Sequence, residues 1–346
     1  MMKRISSIDF VKFIAMFFIV YIHSHSFKEV DLFGIEGGRI DFLIDTFARF
    51  GVPFFFMVSG YLVVKQVERK GGGYFPKYVG TLINLYVAWF LFFFLYDLVM
   101  VILDKGFKSE PIIEYISTFL TFDIFYYGAG HTQYHLWYLL AATWAMILFA
   151  LFYYFGKIEL LLVISFVLYV VGLFDQSYSG IYDLSFESRE GAFFGIFYIT
   201  LGGMFGKYQS PFTQISRRFK PWVWVLVFIG FSLLQMIERE ITAHALGGDS
   251  GNYFISTILV AAALFMFIFS MPNIGEETLI NKIGKNTVGI YVIHTVILDL
   301  TNRLVNFAGL SVIREHLLWG LLFTPYLFIV SYLLYMSLQR LKPKFG

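Results

Sequence analysis

The first long apolar run of the chain, IDFVKFIAMFFIVYIHSHSF, Ile8 to Phe27, carries Asp9, Lys12 and His23. About 20 residues at about 1.5 Å each cover the roughly 30 Å hydrocarbon core of a bilayer, so the run reads as a membrane span. A lysine at the centre of such a span costs roughly 2.5 to 3.5 kcal/mol on insertion scales, which a partner, a wet cavity or a snorkelling stem must offset. Lys12 and His23 are separated by about three helical turns, which puts them on one face about 16 Å apart along the axis. Asp9, one turn earlier, joins the same stripe. A cation near one membrane surface and an imidazole near the other read as two ends of a site that crosses the bilayer, and imidazole is suited to accepting a proton near neutral pH. The structural alternative is that Lys12 snorkels or pairs with Asp9 at i, i+3, while His23 meets interfacial water.

The elements that position these groups follow from composition. The 346 residues are 58% hydrophobic, 21% aromatic and 14% charged, with a mean hydropathy of +0.70. That composition predicts an all-α, polytopic transmembrane helical bundle, taken as one integral-membrane domain over 1–346. Apolar runs of spanning length fall at about 8–27, 41–64, 78–103, 134–155, 158–174, 190–207, 220–240, 252–271, 285–306 and 316–339, giving about ten spans. The first run is too long for a signal peptide, is broken by Lys12 and has no small-residue cleavage pattern after it, so a retained span is expected. Of the 26 lysines and arginines, 16 fall on the side of the termini, 8 on the opposite side, and Lys12 and Arg49 within spans. The positive-inside rule then places both termini in the cytoplasm, Lys12 in the inner half of the membrane and His23 in the outer half. The absence of cysteine excludes disulfides, thiolate metal sites and a cysteine acyl-enzyme. A net charge of +2 and the lack of a basic stripe exclude nucleic acid as a partner.

Further polar groups recur along the chain. In the second run, DFLIDTFARFGVPFFFMVSGYLVV, Asp41, Asp45 and Arg49 are spaced i, i+4, i+8, which allows the arginine to be neutralised on its own helix. Pro53 is expected to kink that helix, and Ser59 with Gly60 to permit close packing. The loop VERKGGGYFPK lacks a phosphate-binding fingerprint and reads as a flexible linker, but Lys70 and Lys77 would draw an anionic ligand. Residues 104 to 133 read as an interfacial or re-entrant piece over an outer vestibule. In HTQYHLWYLL, His131 and His135 have a metal-sharing spacing if helical, but no accompanying acid; polar groups at an acceptor site are the preferred reading, and no metal is expected. His294 lies well inside the ninth run, with Tyr291 and Thr295 as neighbours. No internal repeat is visible.

Four stretches together resemble the membrane-bound acyltransferase-3 family. The K-x10-H of Lys12 to His23 is similar to its R-x10-H pattern. ARFGVPFFFMVSGYL resembles its second-helix signature, especially in the branch containing the enterobacterial common antigen O-acetyltransferase. YHLWYL (Tyr134 to Leu139) resembles the start of its fourth helix, and KNTVGIYVIH (Lys285 to His294) its C-terminal motif. The resemblance implies transfer of an acyl group, commonly acetyl, from cytoplasmic acyl-CoA to a hydroxyl of a carbohydrate or cell-surface glycan, in a prokaryotic inner membrane. It makes His23 the catalytic residue. Lys12, Lys70, Lys77, Arg217 and Arg218 become the residues expected to hold CoA, and Asp9, Arg49, Ser59, His135, Trp137 and His294 those expected to bind substrate or support the site. Two departures stand out: Lys12 replaces the family's arginine, giving a point charge in place of a planar fork, and KYVGTLINLY lacks the arginine cluster common at the third helix. The alternative from another class is a transporter or flippase for a glycan or acylated intermediate, in which the intramembrane charges gate or relay protons.

Overall fold

A computed structural model of the chain describes residues 5–119, 121–128, 132–184, 186–249 and 251–341. It is all-helical. In chain order the α-helices are α1 (Ser6–Ser24), α2 (Gly37–Ala48), α3 (Gly51–Lys70), α4 (Tyr74–Lys105), α5 (Ser109–Ser117), α6 (Phe122–Tyr126), α7 (Trp137–Tyr154), α8 (Ile158–Gly172), α9 (Ile196–Lys207), α10 (Gln209–Arg217), α11 (Pro221–Glu240), α12 (Ile255–Ser270), α13 (Leu279–Gly284), α14 (Thr287–Phe307) and α15 (Leu317–Leu341). Single 3-10 turns occupy Tyr134–Leu136 and Ser311–Glu315, and π turns occupy Gly191–Gly195 and Ile241–Ala245.

All ten apolar runs are helical over most of their length. Among the described residues, seven helical stretches are long and apolar enough to cross a membrane: 6–24, 37–70, 74–105, 134–154, 221–245, 287–307 and 317–341. The other three runs form the shorter helices α8, α9 and α12. The 16 residues of α12 extend about 24 Å, less than the hydrocarbon thickness. The expected kink at Pro53 lies elsewhere. The helix breaks at Arg49–Phe50, and Pro53 sits in the first turn of α3, where a missing N–H removes no intrahelical bond.

The chain divides into two compact units. The first comprises residues 1–55, 176–183 and 208–346, and α1 is its central element, packing on α2, α13, α14 and α15. Contact with α13 requires a glycine, because a Cβ at Gly284 would run into the carbonyl oxygen of Asp9. Beside this group α11 packs along α12 and against α2. The second unit comprises residues 56–175 and 184–207, with α7 packed on α4, α8 and α9. There the small face expected at Ser59–Gly60 is used: a Cβ at Gly60 would meet the carbonyl of Ile199, and one at Gly202 that of Met57, so α3 and α9 touch backbone to backbone. Helices α4 and α11 bury few of their apolar side chains, as lipid-facing helices do.

Candidate active site

Helix α1 carries Asp9 in its first turn, where a carboxylate complements the helix dipole, and His23 in its last, where an imidazolium would do the same. It ends at Ser24 because His25 adopts a left-handed conformation at φ 44° and its N–H donates to the carbonyl of Tyr21 at 2.9 Å. The expectation that α1 continues to Phe27 is therefore corrected. His25 is a cap residue, and its position is not given by a helical rotation from His23. Its Nδ1 lies 2.8 Å from Asp41 Oδ2, and Tyr21 donates to the other oxygen of Asp41 at 2.7 Å. This last bond ties the end of α1 to α2.

His23 meets His294 of α14, with ring centroids 5.0 Å apart and planes inclined by 42°. His294 is fully buried. Its Nδ1 lies 2.7 Å from the Tyr291 carbonyl and 3.2 Å from that of Ile290. A carbonyl oxygen can only accept, so Nδ1 carries the proton, and this backbone contact fixes both ring tautomer and ring orientation. The two histidines, from the first and ninth apolar runs, are thus brought together by the packing of α1 on α14. Three turns back on α1, Lys12 Nζ lies 3.9 Å from Asp9 Oδ1. Lys12 is 20% exposed and the Asp9 carboxylate 4%. The i, i+3 pairing open to the sequence is therefore present, and it leaves the ammonium partly accessible at the end of the helix opposite His23.

Arg49 is held by Asp45 through Nη2 at 2.6 and 2.8 Å and Nε at 3.2 Å, the intrahelical neutralisation anticipated from the spacing. Asp41, the other acid of that series, bonds to Tyr21 and His25 instead. A second cation absent from the sequence reading is Arg239 of α11, whose side chain is 5% exposed. It donates to Asp45 Oδ2 and to Thr46 Oγ1, each at 2.7 Å, with its guanidinium 4.3 Å from the ring centroid of Phe42. Asn252 accepts from Arg49 at 2.5 Å, and Gln235 bridges the Thr46 carbonyl and the Thr257 hydroxyl at 2.7 and 2.8 Å. Gln235 and Arg239 are one turn apart on a helix that is apolar from Pro221 to Phe231, and that pairing was the available signal. Standing at the end of its apolar run, Arg239 reads by pattern alone as a loop charge.

The remaining expected site residues belong to one unit or the other. In the second unit, Ser59 hydrogen-bonds with Tyr78 and Tyr138. His135 is buried in the Tyr134–Leu136 turn with its ring 5.2 Å from that of Phe93. Trp137 receives the Arg189 guanidinium at 4.5 Å over its ring. His131 lies outside the described residues. Lys70 reaches over Tyr74 at 5.5 Å, and Lys77 is exposed. Arg217 and Arg218 are exposed at the end of α10 in the first unit. Among the described residues no group of three or more His, Asp or Glu side chains is arranged to hold a metal. Glu190, not anticipated from the sequence, is buried and accepts from the Ala192 and Phe193 amides at 2.6 and 2.8 Å and from Tyr126 at 2.9 Å, a structural cap for the π turn that precedes α9.

Comparison with known proteins places the chain in a family. Two curated relatives, both described as amino-acid racemases of Enterococcus faecalis, are similar to the chain. One is 30% identical over 224 residues, covering 57% of this chain and 27% of the relative. The other is 24% identical over 359 residues, covering 98% of this chain and 47% of the relative. The chain thus spans less than half the length of these relatives. No solved structure matches. The family model for the acyltransferase-3 acyltransferase domain matches residues 5–336, which takes in both units and both histidines, and the chain belongs to that family of membrane acyltransferases.

Proposed function

We propose that the protein transfers an acyl group, acetyl in the first instance, from cytoplasmic acyl-CoA to a hydroxyl of a carbohydrate or cell-surface glycan, with His23 as the general base. The observation that carries this reading is the seating of His23 against a second imidazole whose tautomer is fixed by backbone carbonyls. In the proposed step His23 takes the hydroxyl proton as the oxygen attacks the thioester carbonyl. The tetrahedral adduct then collapses, the carbon–sulfur bond breaks, and the imidazolium returns the proton to the departing thiolate. His294 holds the plane of His23 through ring contact and acts as a positioning residue. Lys12, about 16 Å away along α1, marks the donor end, a separation comparable with an extended pantetheine arm. Of the other basic residues proposed for the CoA phosphates, Arg217 and Arg218 belong to the first unit and Lys70 and Lys77 to the second. The proposed setting is a prokaryotic inner membrane with both termini cytoplasmic.

The test is release of free CoA from labelled acetyl-CoA by the purified protein. Release that depends on an added hydroxyl acceptor, with label recovered as an ester, supports the reading; acetyl-CoA that is neither bound nor consumed with any acceptor refutes it. The relatives' names favour a second reading, in which the acceptor or a transported cargo is an amino acid. Free amino acids therefore join the acceptor panel, and proteoliposome uptake of the same compounds distinguishes transport from transfer. Orientation is tested separately with Lys70→Cys in the cysteine-free chain: labelling by an impermeant reagent from outside intact cells would reverse the donor-side assignment.

A further inference from the structure

Beyond the His23 end of α1 the first unit opens a cleft of about 350 Å³, at the small end of the roughly 300–1,000 Å³ range of ligand sites. One wall is the segment that follows His23 directly: Ser24, His25, Ser26, Lys28 and Glu29. The opposite wall is Asn302 and Asn306 of α14, Arg314 of the 3-10 turn, and Trp319 and Phe323 of α15. The two walls are fastened together. Ser24 shares a hydrogen bond with Thr324 of α15 at 2.7 Å, Thr324 bonds Ser26 at 3.1 Å, and Ser26 donates to the Gly320 carbonyl at 2.8 Å.

Two features define what this cleft recognises. Arg314 is held by neutral groups, donating to Asn306 Oδ1 at 2.8 Å and Asn302 Oδ1 at 3.4 Å. Its position is fixed while its charge is retained for a ligand, and Lys28 adds a second cation against the single carboxylate of Glu29. Trp319, half-buried and backed by Phe323 at 4.0 Å between ring centroids, gives the cleft a rigid aromatic surface amid amide and hydroxyl groups. A planar apolar surface beside a guanidinium and neutral hydrogen-bonding groups matches a sugar ring that carries a carboxylate. We infer that this cleft is the acceptor subsite and that it selects an acidic pyranose, its carboxylate on Arg314 and its ring against Trp319. The assignment as acceptor subsite rests on the acyl-transfer reading above; the recognition of an acidic sugar does not.

The experiment uses the whole 346-residue chain in detergent with Glu29→Cys, at the exposed rim of the cleft, as the only cysteine, reacted with a small neutral thiol reagent while ligands are added. Methyl glucuronide is expected to slow labelling, whereas methyl glucoside, acetate and inorganic phosphate leave it unchanged. Arg314→Ala weakens that protection about tenfold or more, the loss expected for a charge-assisted contact, and Arg314→Lys restores part of it. Unliganded labelling rates and size-exclusion profiles show that the variants are folded. Equal protection by acetate or phosphate would reduce the cleft to a general anion site, equal protection by methyl glucoside would remove the role of charge, and absence of protection would remove the ligand; each overturns the inference, as does protection that survives Arg314→Ala. His23→Ala should leave protection intact. Loss of acyl transfer in the wild type alongside intact protection would overturn the enzymatic reading and leave the cleft standing, and the converse result would do the reverse.

Discussion

Asp45 holds the buried Arg239 and the partly buried Arg49, and its removal is expected to harm the fold more than the removal of either cation. In the structure it accepts three bonds from Arg49 and one from Arg239, with side-chain exposures of 4% for Asp45, 13% for Arg49 and 5% for Arg239. Asp45→Ala leaves two guanidinium groups in a poorly solvated site, and breaking a buried pair in this way costs about 3–5 kcal/mol. Arg239→Ala removes one bond to Asp45, one to Thr46 and the stacking on Phe42, yet Asp45 keeps Arg49. That loss is about 2–3 kcal/mol, set by hydrogen bonds to charged groups. At about 2 °C per kcal/mol for a large chain, Asp45→Ala should lower the midpoint by roughly 6–10 °C and Arg239→Ala by roughly 4–6 °C. The assay is thermal unfolding of the detergent-solubilised protein followed by size-exclusion recovery, with the double variant completing a cycle. Because the two share a bond, the double variant should lose less than the sum. Shifts below about 1 °C for Asp45→Ala, or strict additivity, would show that the three charges do not form the coupled network described.

Two further outcomes follow from the geometry. His23→Ala should cut acyl transfer roughly 10²- to 10⁴-fold while acyl-CoA binding persists, as expected when a positioned base is lost; His25→Ala, which leaves the base in place, should cost far less turnover but lose thermal stability through its contact with Asp41, and a dead His25→Ala beside an active His23→Ala would refute the placement of the base. Gly284→Ala should yield little folded protein, since its methyl would strike the Asp9 backbone and push α13 off α1; normal expression and melting would contradict that close approach.

What the sequence determined by itself is what depends on local pattern. Apolar runs of spanning length fix an all-helical membrane protein, because a backbone in lipid must satisfy its own hydrogen bonds. The spacing from Asp9 through Lys12 to His23 fixes one polar stripe, since these residues share one helix, and the i, i+4 spacing of Asp45 and Arg49 fixes their pairing for the same reason. Only tertiary structure decided the rest. His294 meets His23 because α14 packs on α1, a contact between positions 23 and 294 that no periodicity encodes. Arg239 reaches Asp45 because α11 lies against α2, and a charge at the end of an apolar run carries no mark of whether it turns inward or to water. The end of α1 also escaped the pattern: IHSHSF continues the run, but the left-handed turn at His25 stops the helix, and tertiary bonds from His25 and Ser26 hold the segment after it to Asp41 and to the Gly320 carbonyl of α15. Burial sets such partners, because a buried charge or hydroxyl must find one wherever the packed helices place it, and that depends on helix contacts rather than on distance along the chain.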